Sequence, residues 1–369
     1  MTIRVPVTEH RDASYNILIG RGLLTQLAAL VATACPASRY AVISDAHVAR
    51  LYGAAALAGL RAAALAAELF QFPAGEPNKT RETWALISDR MLAAHLGRDA
   101  AVIALGGGVV GDVAGFVAAT FLRGVPYVQV PTTLLAMIDS SIGGKTGVDA
   151  PAGKNLVGAF HQPRLVVVDL DVLDSLAAEQ LAAGMAEAVK HGVIADAEYF
   201  ASLEREHQAV VAKQATALER VVRRSVEIKA AIVAADEREA GRRAVLNFGH
   251  TVGHAVEATA QFALLHGEAV AIGMSYEARL AEALGVAERG TAQRIEGVLE
   301  CYHLPVGLPN GASVDRLIAA MEVDKKARAG TVRFALPRAV GRMGGNDADG
   351  WTVAAPEPLL RAVLRGHAP

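Results

Sequence analysis

The spacing of hydrophobic and polar positions changes once along this chain. In the first part, polar–apolar alternation predicts strands at 3–7 and 15–19, and Gly20-Arg21-Gly22 then opens a helix through about Ala34. Apolar runs that suit strands covered on both faces follow at 39–45, 68–72, 100–105, 126–130 and 164–168. Helical stretches separate them: an Ala-rich one at about 48–66, one starting near Arg81, and one running to about Leu122. This is an α/β pattern. After Asp169 a period of 3.6 takes over, with helices expected near 177–194, 197–204, 208–235, 247–262, 265–284, 289–302 and 313–321. A short strand at 331–336 and a final helix from about 357 complete the reading.

The change places a domain boundary near 170–176, giving an α/β domain over 1–172 and an all-α domain over 173–369. A chain of 369 residues is too long for one ordinary core, which fits two domains. Composition narrows the class: 52% hydrophobic and 20% charged residues describe a well-buried globular chain. A net charge of -2 gives no general attraction to nucleic acid or to an anionic membrane, so any cationic site must be local. Cys35 and Cys301 form no CxxC pair, which fits a reducing cytoplasm. Residues 1–20 lack the apolar core of a signal peptide, and apolar runs elsewhere stop well short of the roughly 20 residues of a membrane span.

The strand at 100–105 enters Gly106-Gly107-Gly108-Val109-Val110-Gly111-Asp112, a G-x-G-x-x-G turn that opens a helix. There, small residues let backbone N–H groups approach a pyrophosphate. No acidic residue lies between Asp112 and Asp139, so the usual ribose-binding acid about 20 residues on is missing. Asp45 and Glu76, both after strands, are the candidates to replace it, and Asp45 reads equally well as a helix N-cap. Arg123, Lys145 and Lys154 recur at loops between buried segments and suit anion binding as well as plain solvation.

Further along, Glu187, Lys190 and His191 share one helix face. Lys229, the run Asp324-Lys325-Lys326, and Glu237 and Glu239 with Arg242 and Arg243 read alone as solvated charges. His250 and His254 stand four residues apart beside Gly249 and Gly253, with His266 and Glu268 following. By spacing alone, His250 and His254 would be paired metal ligands.

Together these stretches closely resemble the 3-dehydroquinate synthase family of sugar phosphate cyclases. Pro73-Ala74-Gly75-Glu76 with Lys79, Gly106 to Gly115, Arg123-Gly124-Val125, Gln129 to Leu135, Asp139 to Gly147 and Gly153 to Gly158 carry the resemblance in the first half. Gly184 to Glu187, Asn247 to His254, His266-Gly267-Glu268 and Asp324-Lys325-Lys326 carry it in the second.

The resemblance implies an N-terminal Rossmann-like NAD-binding α/β domain and a helical, metal-binding C-terminal domain. It implies a divalent metal, Zn²⁺ or Co²⁺, on Glu187, His250 and His266, displacing the spacing-based pair and leaving His254 near the substrate. Substrate contacts carry over to Asp139, Lys145, Lys154, Asn155, Lys190, Lys229, Arg243, Asn247 and Lys325, with Arg123 reaching across a homodimer. Cofactor contacts carry over to Asp45, Glu76, Lys79, Gly107, Gly108, Asp112, Thr132 and Thr133, and also to Lys145 and Lys154.

The implied activity is conversion of 3-deoxy-arabino-heptulosonate 7-phosphate to 3-dehydroquinate and phosphate in the shikimate pathway, through transient NAD-dependent oxidation. Its rivals are another sugar phosphate cyclase and a metal-dependent polyol dehydrogenase. Two departures stand out: Asp149-Ala150 replaces a usual Asn-His, and His191 replaces a common Tyr, neither expected to touch an assigned group.

Overall fold

A computed structural model describes residues 12–151, 153–260, 263–326, 332–346, 348 and 350–366, and the strand predicted at 3–7 lies outside them. The side chains of 323–326, Lys325 among them, are also outside the description.

The first part runs β1 (Asn16–Gly20), α1 (Leu27–Ala34), β2 (Arg39–Asp45), α2 (Ala46–Val48), α3 (Ala54–Ala62), β3 (Ala67–Phe72), α4 (Arg81–Ala93), β4 (Ala100–Gly106), α5 (Gly108–Thr120) and β5 (Tyr127–Pro131). A hairpin of β6 (Lys145–Ala150) and β7 (Gly153–Phe160) precedes β8 (Leu165–Asp169). Six strands form one parallel sheet in the order β1-β8-β5-β4-β2-β3. Every residue of β4, β5 and β8 is buried, because helices cover both faces. One face packs Val102 and Ala104 against Val113 and Val117 of α5 and Ile87 and Met91 of α4. The other packs Ile103, Val128 and Val167 against Val31 of α1 and Leu60 of α3.

The chain leaves β2 for β3 on one side and returns to β4 on the other. The carboxyl ends of β2 and β4, carrying Asp45 and Gly106, therefore flank a topological switch point, where open α/β sheets bind ligands. The β6–β7 hairpin was not legible: its Gly, Lys and Asp residues read as loop. It forms because Val148 and Val157 pack into the core beside α5.

The second part is α6 (Ala178–Ala195), α7 (Ala197–Val211), α8 (Ala215–Ala235), α9 (His250–Thr259), α10 (His266–Ala283), α11 (Thr291–Cys301), α12 (Val314–Lys326) and α13 (Glu357–Leu364). The break expected at 205–207 lies instead at 212–214, between α7 and α8. Lys213 there takes a left-handed φ of 53° and donates to the carbonyls of Leu173, Asp174 and Leu176. That contact is tertiary, so helical periodicity does not report it. The strand expected at 331–336 appears as β9 (Arg333–Phe334), followed by β10 (Pro337–Ala339), β11 (Arg342–Met343) and β12 (Val353–Ala354). β9 pairs with β12 and β10 with β11. Thr331 lies outside the described residues. Among the described residues no helix is long and apolar enough to cross a membrane, and both cysteines are free.

The approach of α10 to α9 and α6 builds the site. A Cβ on Gly273 would fall on the backbone carbonyl of Gly249, and one on Gly267 on that of Ala183. From α10, the buried Glu277 accepts hydrogen bonds from the amides of Gly249 (2.7 Å) and Val252 (3.0 Å), capping the start of α9. Burial pushes its carboxyl up to about 8 against the pull of these donors. We expect Gly273→Ala to force the two helices apart and to cost about 1–3 kcal/mol, read as a lower urea midpoint. An unchanged midpoint would show that this close approach does not constrain the fold.

Candidate active site and metal centre

Glu187 lies in α6 with no solvent exposure, and His250 and His266 are the first residues of α9 and α10. Their ligand atoms converge: Glu187 Oε1 is 3.6 Å from His250 Nε2 and 3.8 Å from His266 Nε2. The other ring nitrogens are engaged, His250 Nδ1 with the carbonyl of Phe248 at 3.2 Å and His266 Nδ1 with Glu257 Oε1 at 3.3 Å. With Nδ1–H donating in both rings, each Nε2 presents a lone pair when its ring is neutral. Burial opposes a charge on His266, but Glu257 and Glu187 outweigh it and raise its imidazole above the usual range. A carboxylate oxygen and two lone pairs then face one another, and Glu187 Oε1 is buried without a hydrogen-bond partner. Three converging acceptors of this kind suit a divalent cation. Glu187 Oε2 pairs instead with Lys190 on the next turn.

The spacing-based pair does not form. Among the described residues no group of converging ligand atoms holds both His250 and His254, whereas Glu187, His250 and His266 form one. A second grouping of possible ligands, His254, Glu257 and His266, shares His266. Its Glu257 Oε1 is already taken by Lys154 at 3.1 Å and by His266. Burial and the Lys190 charge hold the His250 imidazole well below its usual range. Glu268 is not a ligand here: it accepts from the Leu265 amide (2.7 Å) and caps α10.

Behind the triad, Asp139 sits on the turn Ala136–Ser140. Lys229 Nζ donates to its Oδ1 and to its carbonyl, both at 2.6 Å, with Lys190 Nζ 3.9 Å away. Burial alone would raise the Asp139 carboxyl, but Lys229 and Lys190 outweigh it and hold the group well below the carboxylate range. Burial brings the Lys229 ammonium down from its usual range.

Arg243 is 2% exposed and donates to the carbonyls of Gly143 (3.2 Å) and Glu237. Glu239 accepts from Lys145 and from Asn247 Nδ2. The sequence reading of Glu239 and Arg243 as a surface cluster is thus corrected: the loop folds both into the site. Arg123 instead lines a cavity of about 280 Å³ with His161, Gln162 and Arg164.

At the carboxyl ends of the sheet, Gly107 and Gly108 begin α5. Thr132 is buried with its hydroxyl unpaired, and Thr133 Oγ1 accepts from the Ala136 amide (3.2 Å). Asp45 is an N-cap: its Oδ1 accepts from His47 N (2.8 Å) and Val48 N (2.9 Å). Lys79 Nζ bridges Asp112 and Asn155 at 2.5 Å each. Lys154 Nζ bridges Glu76 and Glu257 at 3.1 Å each.

Both departures from the family pattern lie beside assigned residues, though the contacts run to backbone atoms or stop short of a hydrogen bond. Asp149 Oδ1 accepts from the amide of Asn155 (2.8 Å), a residue with φ of 54°, and its own amide donates to the Lys79 carbonyl. His191 is wholly buried, 3.9 Å from Asp139, and burial takes its imidazole down to about 3, so it is neutral. Their register in a β6–β7 hairpin and on α6 is what brings them in. Sequence reasoning also missed Glu257, although its place three residues after His254 puts it on the histidine face of α9.

Residues 69–183 match the family described as 3-dehydroquinate synthase N-terminal, and residues 184–327 the family described as 3-dehydroquinate synthase C-terminal. A 3-dehydroquinate synthase of Symbiobacterium thermophilum is 52% identical over 88% of this chain and 92% of its own. Among solved structures, the 2-epi-5-epi-valiolone synthase ValA of Streptomyces hygroscopicus, with NAD⁺ and Zn²⁺ bound, has TM-score 0.88 and 33% identity over 99% of each chain. A 2-deoxy-scyllo-inosose synthase with carbaglucose-6-phosphate, NAD⁺ and Co²⁺ has TM-score 0.87 and 26% identity over 95% of this chain and 96% of its own. With both halves matched and a relative of this identity along most of its length, the chain belongs to the 3-dehydroquinate synthase family.

Proposed function

We propose that this chain converts 3-deoxy-arabino-heptulosonate 7-phosphate to 3-dehydroquinate and phosphate, as an NAD- and metal-dependent phosphate-eliminating cyclase. The observation that carries the reading is the buried Glu187 Oε1, facing His250 Nε2 and His266 Nε2 beside the Lys190, Lys229 and Asp139 cluster. Glu187, His250 and His266 would hold one divalent ion, Zn²⁺ or Co²⁺. When bound, the metal polarises a substrate hydroxyl and NAD takes up and returns the hydride.

The chain's own residues then divide the work. Lys190 and Lys229 keep Asp139 ionised, so a carboxylate and two ammonium groups stand behind the metal set. Arg243, pinned by two carbonyls, presents a preorganised guanidinium to the substrate carboxylate. Lys145, Asn155 and Asn247 bind the remaining oxygens, and His254, beside His250 and His266, moves protons at the substrate. Lys325, on α12, belongs to the same substrate set by the family resemblance. Glu76, Lys79, Asp112, Thr132, Thr133 and the Gly107–Gly108 turn hold NAD, with Asp45 at the switch point and with Lys145 and Lys154 serving both ligands.

The division at 172/173 is part of this reading, supported by the change from sheet to helices after Asp169. One hydrophobic cluster joins Val166 and Val168 to α6–α8 across it. A cytoplasmic homodimer is also part of it: Arg123, lining a surface cavity, would enter the partner's site.

For the metal set, we expect Glu187→Ala and His250→Ala to lose stoichiometric metal and His254→Ala to keep it. Metal analysis of the purified variants decides, and a metal-free His254→Ala with a metal-replete Glu187→Ala would move the site. For the substrate cations, Arg243→Ala should weaken substrate binding by about 1.5–3 kcal/mol and leave NAD affinity nearly unchanged. Isothermal titration with each ligand checks this, and the reverse pattern would put Arg243 in the cofactor half. Against a polyol dehydrogenase, phosphate should accumulate over many turnovers with trace NAD and flat absorbance at the NADH band. Stoichiometric NADH with phosphate retained on the product would favour the dehydrogenase.

A further inference from the structure

A histidine binds a metal through Nε2 only when its proton sits on Nδ1, so some acceptor must hold that proton. For His250 the acceptor is a backbone carbonyl, that of Phe248 at 3.2 Å, two residues before α9 begins. For His266 it is a side chain, Glu257 Oε1 at 3.3 Å. Glu257 is 1% exposed and projects from the same face of α9 as His254. The same Oε1 receives Lys154 Nζ at 3.1 Å, and Lys154 continues to Glu76 Oε1 at 3.1 Å.

Buried carboxylates often serve the fold alone, and Glu277 shows the form this takes: its oxygens accept backbone amides at the start of α9. Glu257 differs. Its described partners are the His266 ring and the Lys154 ammonium, and its Oε2 is buried without a hydrogen-bond partner. A carboxylate taken out of water for one imidazole and one ammonium is costly unless those two groups need it.

We propose that Glu257 is a positioning residue for the metal centre: it holds His266 in the Nδ1–H tautomer, and Lys154 in turn holds Glu257. This rests on Glu187, His250 and His266 being the metal ligands. One oxygen then links a metal ligand to the lysine that reaches Glu76 on the cofactor side, so metal affinity depends on a lysine that is not a ligand.

The test measures the metal dissociation constant by chelator competition, with no substrate or NAD present, so activity is not the readout. Glu257→Gln keeps the shape and removes the charge, and should weaken metal binding about 10–100-fold. Lys154→Met should weaken it by a smaller factor, and the Lys154→Met/Glu257→Gln double variant should bind no more weakly than Glu257→Gln alone. Nitrogen-15 spectra of the metal-free histidines, taken at a pH where His266 is neutral, should show it as the Nδ1–H tautomer in the native chain and as a tautomer mixture in Glu257→Gln, a change that loss of packing alone does not cause. Native metal affinity in Glu257→Gln and in Lys154→Met would overturn the inference, while loss of metal in Glu187→Ala under the same conditions would leave the ligand set standing. Metal retained by Glu187→Ala but absent from Glu257→Gln would make Glu257 a ligand and overturn both. If Glu257→Gln does not fold, Lys154→Met alone decides, native affinity in it overturning the link.

Discussion

Everything else in this molecule is arranged around a negative charge that water cannot reach. Glu187 sits in the middle of α6 with no solvent exposure, and an isolated carboxylate there would be prohibitively costly. Its Oε2 is matched by Lys190 on the same helix, while Oε1 is left for the two imidazoles. Those imidazoles arrive only because α9 and α10 both begin at this point, and they begin there only because Gly267 and Gly273 permit backbone contact. The metal centre proposed here is therefore a property of three helix positions. No loop has to close to make it.

The same logic extends outward as linked charges. Lys190 and Lys229 converge on Asp139, Lys79 joins Asp112 to Asn155, and Lys154 joins Glu76 to Glu257. In each case a lysine is held by a carboxylate in a low-dielectric setting, and burial then shifts which form is favoured. Asp139 ends well below its usual range, whereas Asp112 is raised, burial outweighing the Lys79 charge. Cations fixed in advance lose little freedom when an anionic ligand binds, which is how such a cluster serves a substrate bearing phosphate and carboxylate.

The two departures from the family pattern show how little a motif says about contact. Asp149 supports the left-handed backbone of Asn155, and His191 is a neutral, buried ring beside Asp139. Each lies against a proposed substrate residue, so the substitutions alter the support of the site while keeping its charged groups.

The amino-acid sequence alone determined the layered architecture, because strands covered on both faces must be continuous apolar runs and surface helices must repeat at 3.6 residues. It determined the glycine turn after β4 and the shared face of Glu187, Lys190 and His191 on α6, since both follow from local geometry. Motif order along nearly the whole chain determined the family.

What only the tertiary structure decided is everything that depends on which helix faces which. Spacing paired His250 with His254 and the family resemblance named Glu187, His250 and His266 instead, but their convergence is tertiary, since the three side chains come from separate helices with Glu187 some sixty positions before His250. Glu239 and Arg243 read as solvated charges and are folded inward by their loop, and β6–β7 read as loop because its strand character comes from packing on α5. A sequence pattern records the period of one element, whereas a site is made where several elements cross, and the crossing is set by close contacts such as Gly273 on Gly249 that have no period to read.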